Sequence, residues 1–207
     1  MDKGTAAFAV GVVSGLLMAT SAAAVCETGE VESTFDADVD GWTHTGASVL
    51  QWQAAGGNPD GLLYVDNSEG PITYIFAPAK FRGDLVPCDG GSVGFDGNLL
   101  GQGGANYESG VDYGHLTISG PGGTATADLV PGPAPGNRPP FQAWSSYSLP
   151  FTAASFGVSQ VLWTNILSNV TSVRLSVEAL FGNEIEGIDN FQLGPPGPPV
   201  PTFPYVR

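Results

Sequence analysis

Glycine and proline cut this chain into short segments, and the segments between them are rich in aromatic and β-branched residues. A helix needs an uninterrupted run of about ten residues with apolar positions three or four apart, whereas a strand needs only roughly four to eight. The punctuation therefore predicts short strands joined by long loops. Candidate strands fall at 33–35, 48–53, 62–66, 72–77, 92–96, 111–119, 124–130, 147–151, 172–179 and 187–193. They show no internal repeat and their spacing is irregular, which favours two antiparallel sheets. One segment differs: residues 159–167 carry Val161, Leu162, Ile166 and Leu167 at helical spacing, with Ser168 and Asn169 as a stop. A short helix capping the sandwich is expected there.

Alternation assigns faces. In 111–119, Leu116 and Ile118 share one side while Tyr113, His115 and Thr117 share the other; in 172–179, Val173, Leu175 and Val177 oppose Arg174, Ser176 and Glu178. Both strands are expected to have a wet side. Trp42, Trp52, Trp144 and Trp163 are expected to fill the core, as large rings in such strands usually do.

The N-terminus reads as a secretory signal over 1–24. Lys3 is its basic residue, a short apolar run follows from Ala6 to Met18, and Ala22 and Ala24 give signal peptidase the small residues it needs before Val25. The run is too short to span a membrane comfortably, so export without membrane insertion is expected. A lipidated Cys26 fits poorly, because Ala23 and Val25 are not the large and small residues that reading requires. In an oxidising compartment the two cysteines, Cys26 and Cys88, are most simply one disulfide, with two free thiols as the alternative. Residues 25–193 are one domain's worth of chain. Residues 194–207 are rich in proline, which cannot join a sheet, and read as a spacer or disordered end. The formal net charge of −14 repels phosphate backbones and anionic lipid, so nucleic acid is not an expected partner. Cations, neutral glycans and basic proteins remain.

Several segments together resemble the laminin IV type A domain, also called laminin B, in its stand-alone secreted form. They are STFDADVDGW from Ser33, YIFAPAKFRGD from Tyr74, DGGSVGFD from Asp89, WSSYSLPF from Trp144, ILSNVTSVRLSVEAL from Ile166 and GIDNFQL from Gly187. The resemblance implies a jelly-roll, galactose-binding-like β-sandwich similar to many carbohydrate-binding modules, with no enzymatic role. The cysteine-rich repeats that flank this domain in laminins have no counterpart in the chain, so a laminin-type assembly is not implied.

Acidic residues crowd both ends of that span. If the first and last strands pair, Asp36 and Asp189 meet across one edge, where two carboxylates without a cation repel. Resemblance to carbohydrate-binding jelly rolls implies a structural calcium ion held by Asp36, Asp189 and a backbone carbonyl near Thr34. The run Asp36, Asp38, Asp40, Gly41 copies the first half of an EF-hand loop, but its twelfth position is Ala47, which cannot give a bidentate carboxylate, so an EF-hand is rejected and Asp38 and Asp40 read as a solvated turn.

Glu184, Glu186 and Asp189 have the spacing of the acids in one group of sandwich-fold glycosidases, where two carboxyls must flank one scissile bond. The order of residue types and the intervening Gly187 oppose that reading. A glycoside hydrolase is therefore the alternative, and no catalytic residue is assigned. Glycan binding needs exposed rings beside hydrogen-bonding groups, and Tyr113, His115 and the nearby Tyr107 are the candidates. The expectation is a secreted, non-enzymatic binding or structural module whose partner is an extracellular glycan or a matrix or surface protein. Two features discriminate among these readings: whether Tyr113 and His115 line a groove, and whether the three acids converge.

Overall fold

The computed structural model describes residues 26–27, 29–46, 48–67, 73–103, 112–132, 137–180 and 182–196. The expected signal, Tyr107 and most of the proline-rich end lie outside them. The described strands, in chain order, are β1 (Val31–Ser33), β2 (Thr43–Thr45), β3 (Val49–Gln53), β4 (Leu62–Asn67), β5 (Tyr74–Phe76), β6 (Gly91–Gly103), β7 (His115–Gly120), β8 (Gly123–Asp128), β9 (Ser145–Phe151), β10 (Ser172–Ser176) and β11 (Asn183–Gly194), with one helix, α1 (Gln160–Leu167), between β9 and β10. One sheet runs β3-β4-β11-β6-β9, with β1 pairing β11 beyond β4; the other runs β2-β5-β10-β7-β8. Every strand pair is antiparallel. The first and last strands pair as expected, Val31 opposite Leu193 and Ser33 opposite Phe191.

Period-two alternation supplies the core. Leu63 and Val65 of β4, Val93, Phe95 and Leu99 of β6, and Ile188, Phe191 and Leu193 of β11 face Ile75 of β5, Leu116 and Ile118 of β7, and Val173 and Leu175 of β10. At one end Trp42 packs its ring on Phe35, Phe81 and Phe191, with centroids 4.9 to 6.1 Å apart. At the other, Trp163 meets Phe151 and Phe156. Cys26 and Cys88 are joined, their Cα atoms 5.3 Å apart. A native link of this kind is typically worth ~2–4 kcal/mol.

Helix α1 begins where Ser159 Oγ accepts the Leu162 N–H, a standard N-cap. Trp163, Ile166 and Leu167 face inward, while Val161, expected on the apolar stripe, is 74% exposed. The helix lies against the β7–β8 turn, where a Cβ on Gly122 would fall 2.5 Å from the Asn165 carbonyl carbon.

Two strands run longer than the sequence suggests. Gly97, Gly101 and Gly103 read as breaks, yet β6 passes through all three. A side chain at Gly97 would strike Tyr113 Oη, and one at Gly101 would press on Ile185, so glycine here permits close approach rather than a turn. The short β2 was too brief a run to register. None of the described helices is long and apolar enough to cross a membrane.

Candidate functional site

The outer side of the five-stranded sheet sets its side chains in register, with Thr117 and Ser176 buried among them. One row crosses all five strands: Thr43, Phe76, Arg174, Thr117 and Thr126, each opposite the next. A second holds Thr45, Tyr74 and Ser176, with His115 opposite Asp128 on the far side; a third holds Ser172, Ser119 and Thr124. The hydroxyls are ordered across the strands, Thr117 to Thr126 at 3.0 Å and Ser119 to Thr124 at 3.0 Å. The Arg174 guanidinium lies 4.4 Å above the Tyr74 ring centroid, within cation–π range. Arg174 Nε and Ser176 Oγ are buried without a hydrogen-bond partner. His115 sits between two carboxylates, 3.3 Å from Asp112 and 3.8 Å from Asp128.

Of the two described residues expected to bind a ligand, His115 is on this face and Tyr113 is not. Tyr113 is 2% exposed and packs on Phe95 inside the sandwich. The reason is local: Gly114 has φ of +81°, so the alternation that would have put Tyr113 and His115 on one side is broken between them. The wet side expected of β10 also ends early, since Ser176 and Glu178 are both buried. The residues that do compose the face, Tyr74, Phe76, Arg174 and the threonines, were not selected from sequence. The alternation Thr124, Thr126, Asp128 and the lone basic Arg174 in an apolar strand were the available signals.

The outer face of the other sheet is covered at its centre, while Val49 at one flank and Ser146 and Ser148 at the other are exposed. Asp96 and Asp189 stand opposite one another on β6 and β11, and the loop at 54–61 folds over them. The Asn58 backbone N–H donates to Asp189 Oδ2 at 2.6 Å and its side-chain amide to Asp96 Oδ2 at 3.0 Å; Asn190 gives its backbone N–H to Asp189 Oδ1 and its side-chain amide to Asp96 Oδ2. Trp144, expected in the core, instead lies over Gly187 on this face and donates to the Gly56 carbonyl. Burial raises the Asp189 pKa to about 6, opposed by the two backbone N–H bonds and assisted by the charges of Asp96 and Asp36.

The expected calcium set is therefore only partly drawn together. Asp36 is close enough for its charge to act on Asp189, but it is exposed and accepts the Thr34 hydroxyl at 2.8 Å. Among the described residues no three or more His, Cys, Asp or Glu side chains converge as metal ligands. Nearby, a pocket of about 270 Å³ is lined by Glu32, Thr34, Asp36, Asp38, Asp40 and Lys80. The Lys80 ammonium donates to Asp40 there, Ser33 Oγ donates to the same carboxylate, and Asp38 accepts the Asp40 N–H, so Asp38 and Asp40 close a turn.

The acidic triplet does not converge. Glu184 and Glu186 alternate with Ile188 on the inner side of β11, and Asp189 takes the outer side. Glu184 and Glu186 are fully enclosed, so no glycosidic bond reaches the pair, and a carboxyl partner on the opposite face of the sheet cannot flank the same bond.

No family model and no curated protein matches the chain. Solved structures do. An exo-beta-agarase is 14% identical with a TM-score of 0.52, over 80% of this chain and 25% of that one. The N-terminal CBM22-1–CBM22-2 tandem domain from Paenibacillus barcinonensis is 12% identical with a TM-score of 0.51, over 90% of this chain and 49% of that one. The L4b domain of human laminin alpha-2 is 11% identical with a TM-score of 0.45, over 59% and 70%. At these identities the likeness is one of fold: an antiparallel β-sandwich of jelly-roll type with a single helix.

Proposed function

We propose that this chain is a secreted, non-enzymatic module that binds a glycan across the outer face of its five-stranded sheet. The observation that carries the reading is the in-register row Thr43, Phe76, Arg174, Thr117 and Thr126, with Tyr74 beside it. Sugar C–H faces stack on rings while hydroxyls and guanidinium groups hydrogen-bond sugar hydroxyls. An extended chain of sugars lying across the strands would meet rings at β5 and hydrogen-bonding groups on the strands either side of it. The fold supports the reading, since the tandem domain it resembles is by name a carbohydrate-binding one. The net charge of −14 directs it toward neutral rather than polyanionic glycans. Membership of the laminin B family and a calcium ion near Asp36 and Asp189 belong to the same proposal.

The test is a polysaccharide panel with the exported protein, calcium present, assaying the same wells for released reducing ends. Binding without release is expected, and Arg174→Ala or Tyr74→Ala should weaken it about tenfold, the equivalent of ~1.4 kcal/mol, at unchanged melting temperature. Release of sugar would restore the hydrolase reading. A blank panel would leave a matrix or surface protein as the partner. Chelation should lower the melting temperature if calcium braces the Asp36 edge; an unchanged value removes the ion from the proposal. N-terminal sequencing of the exported protein should begin at Val25.

A further inference from the structure

Three glutamates with no basic partner among the described residues are enclosed at one end of the sandwich. Glu184 and Glu186 point inward from β11, 1% and 0% exposed, and Glu178, 6% exposed, arrives from the opposite sheet just after β10. Asn67 of β4 links them: its side-chain amide donates to Glu178 Oε2 at 2.5 Å and to Glu184 Oε1 at 3.2 Å, while its oxygen accepts Ser48 Oγ. That amide has only two N–H groups, and both are committed. Glu184 Oε2 and both oxygens of Glu186 have no well-formed hydrogen bond, although the backbone N–H groups of Ala179 and Leu180 act on the pair.

A second group points into the same space. Tyr113 is almost fully buried, its Oη lies over Gly97, which is two pairs along β6 from the Leu99 opposite Glu186, and that hydroxyl is also without a partner. The charges that act on the cluster are those of its own members and of Asp112, with the phenols of Tyr113 and Tyr147 beside them. No cation faces it among these groups. Three ionised carboxylates in a low-dielectric interior are not tolerated without neutralisation.

We infer that Glu178, Glu184 and Glu186 form a proton-holding cluster between the two sheets, so that the module is stable in acidic to neutral surroundings and loosens when alkalinity strips those protons. The inference is independent of what the outer face binds. Burial is the leading cause in each case, followed for Glu184 by the Glu178 charge and for Glu186 by the Glu184 charge; it raises the pKa of Glu184 from 4.5 to about 8 and that of Glu186 well above the carboxylate range. The folded state then binds protons that the unfolded chain releases. The stability they confer is fully present below 4.5 and is lost as pH rises through about 8.

The experiment is the melting temperature of the full chain against pH, for wild type, Glu184→Gln and Glu186→Gln, with infrared spectra of the wild type to count protonated carboxyls. The wild-type melting temperature should fall by ~5–10 °C between pH 6 and pH 8, from about 1.4 kcal/mol per pKa unit and ~2–4 °C per kcal/mol. Each glutamine variant should flatten that slope, and protonated carboxyl absorption should be present at pH 7 and vanish with the transition. A flat wild-type profile, or no protonated carboxyl at pH 7, overturns the inference. So does a calcium-dependent rise in melting temperature that Glu186→Gln abolishes, because a cation rather than a proton would then neutralise the cluster. The infrared measurement decides the matter even if a variant fails to fold.

Discussion

Asp189 and Glu186 lie three residues apart on β11, both with no exposed surface, yet they occupy opposite faces of the sheet and opposite electrostatic settings. Asp189 receives two backbone N–H bonds, one from the covering loop at Asn58 and one from Asn190, and titrates at about 6 despite the neighbouring charge of Asp96. Glu186 is driven upward by burial and by the charges of Glu184 and Glu178 beside it, with the Ala179 backbone N–H as the group that opposes the shift. Neither has exposed surface, but Glu186 is the more deeply enclosed. Enclosure and the supply of donors thus differ together, and the comparison teaches that donors delivered by a folded loop oppose the upward shift that burial imposes on a carboxylate in this sandwich.

The sharpest way to break that contrast is to remove the side-chain amide that bridges the inner cluster. Asn67→Leu should cost ~3 kcal/mol or more, since two buried carboxyls lose their amide and the buried Ser48 hydroxyl loses its acceptor. Urea unfolding at pH 6 and pH 9 should show the larger loss at pH 9, where the acids are charged. An equal loss at both would mean that Asn67 acts by packing alone. On the covered face, Asn58→Ala removes the amide to Asp96 but leaves its backbone N–H on Asp189, so a loss of only ~1 kcal/mol is expected. The smallest effect is Asp96→Asn, which keeps an acceptor oxygen for the amides of Asn58 and Asn190 and deletes a charge. Carbon-13 NMR should then find Asp189 titrating below about 6 with little change in melting temperature; an unmoved titration would make burial its sole cause.

The sandwich was legible because alternation and turn residues are local signals. Leu63 and Val65, or Leu116 and Ile118, declare their face without reference to any partner, and the pairing of the first and last strands followed from the fold class. The candidate site was far less legible. Whether Tyr113 points out or in depends on the sign of φ at Gly114, and whether Trp144 is core or cover depends on where the loop at 54–61 lies. Nothing local marks the glutamates of β11 as interior, because charged residues rarely line one. Only the register with β6 shows that Glu184 and Glu186 share the Ile188 side. Likewise the row through Phe76 and Arg174 joins residues nearly a hundred positions apart, and no spacing rule connects them.

Strand β11 is the last of the described strands, and it pairs with β1, β4 and β6 at the centre of its sheet. During synthesis β1 and β4 therefore have no hydrogen-bonding neighbour on that side until the final segment is delivered. Such a topology makes early pairing non-local, which slows folding and leaves unpaired strand edges exposed in the interval. The larger sheet of a chain built this way closes only once its C-terminal strand is available. The arrival of residues 183–194 is thus the expected rate-limiting event in its maturation, and truncating them should abolish the whole larger sheet rather than fray one edge.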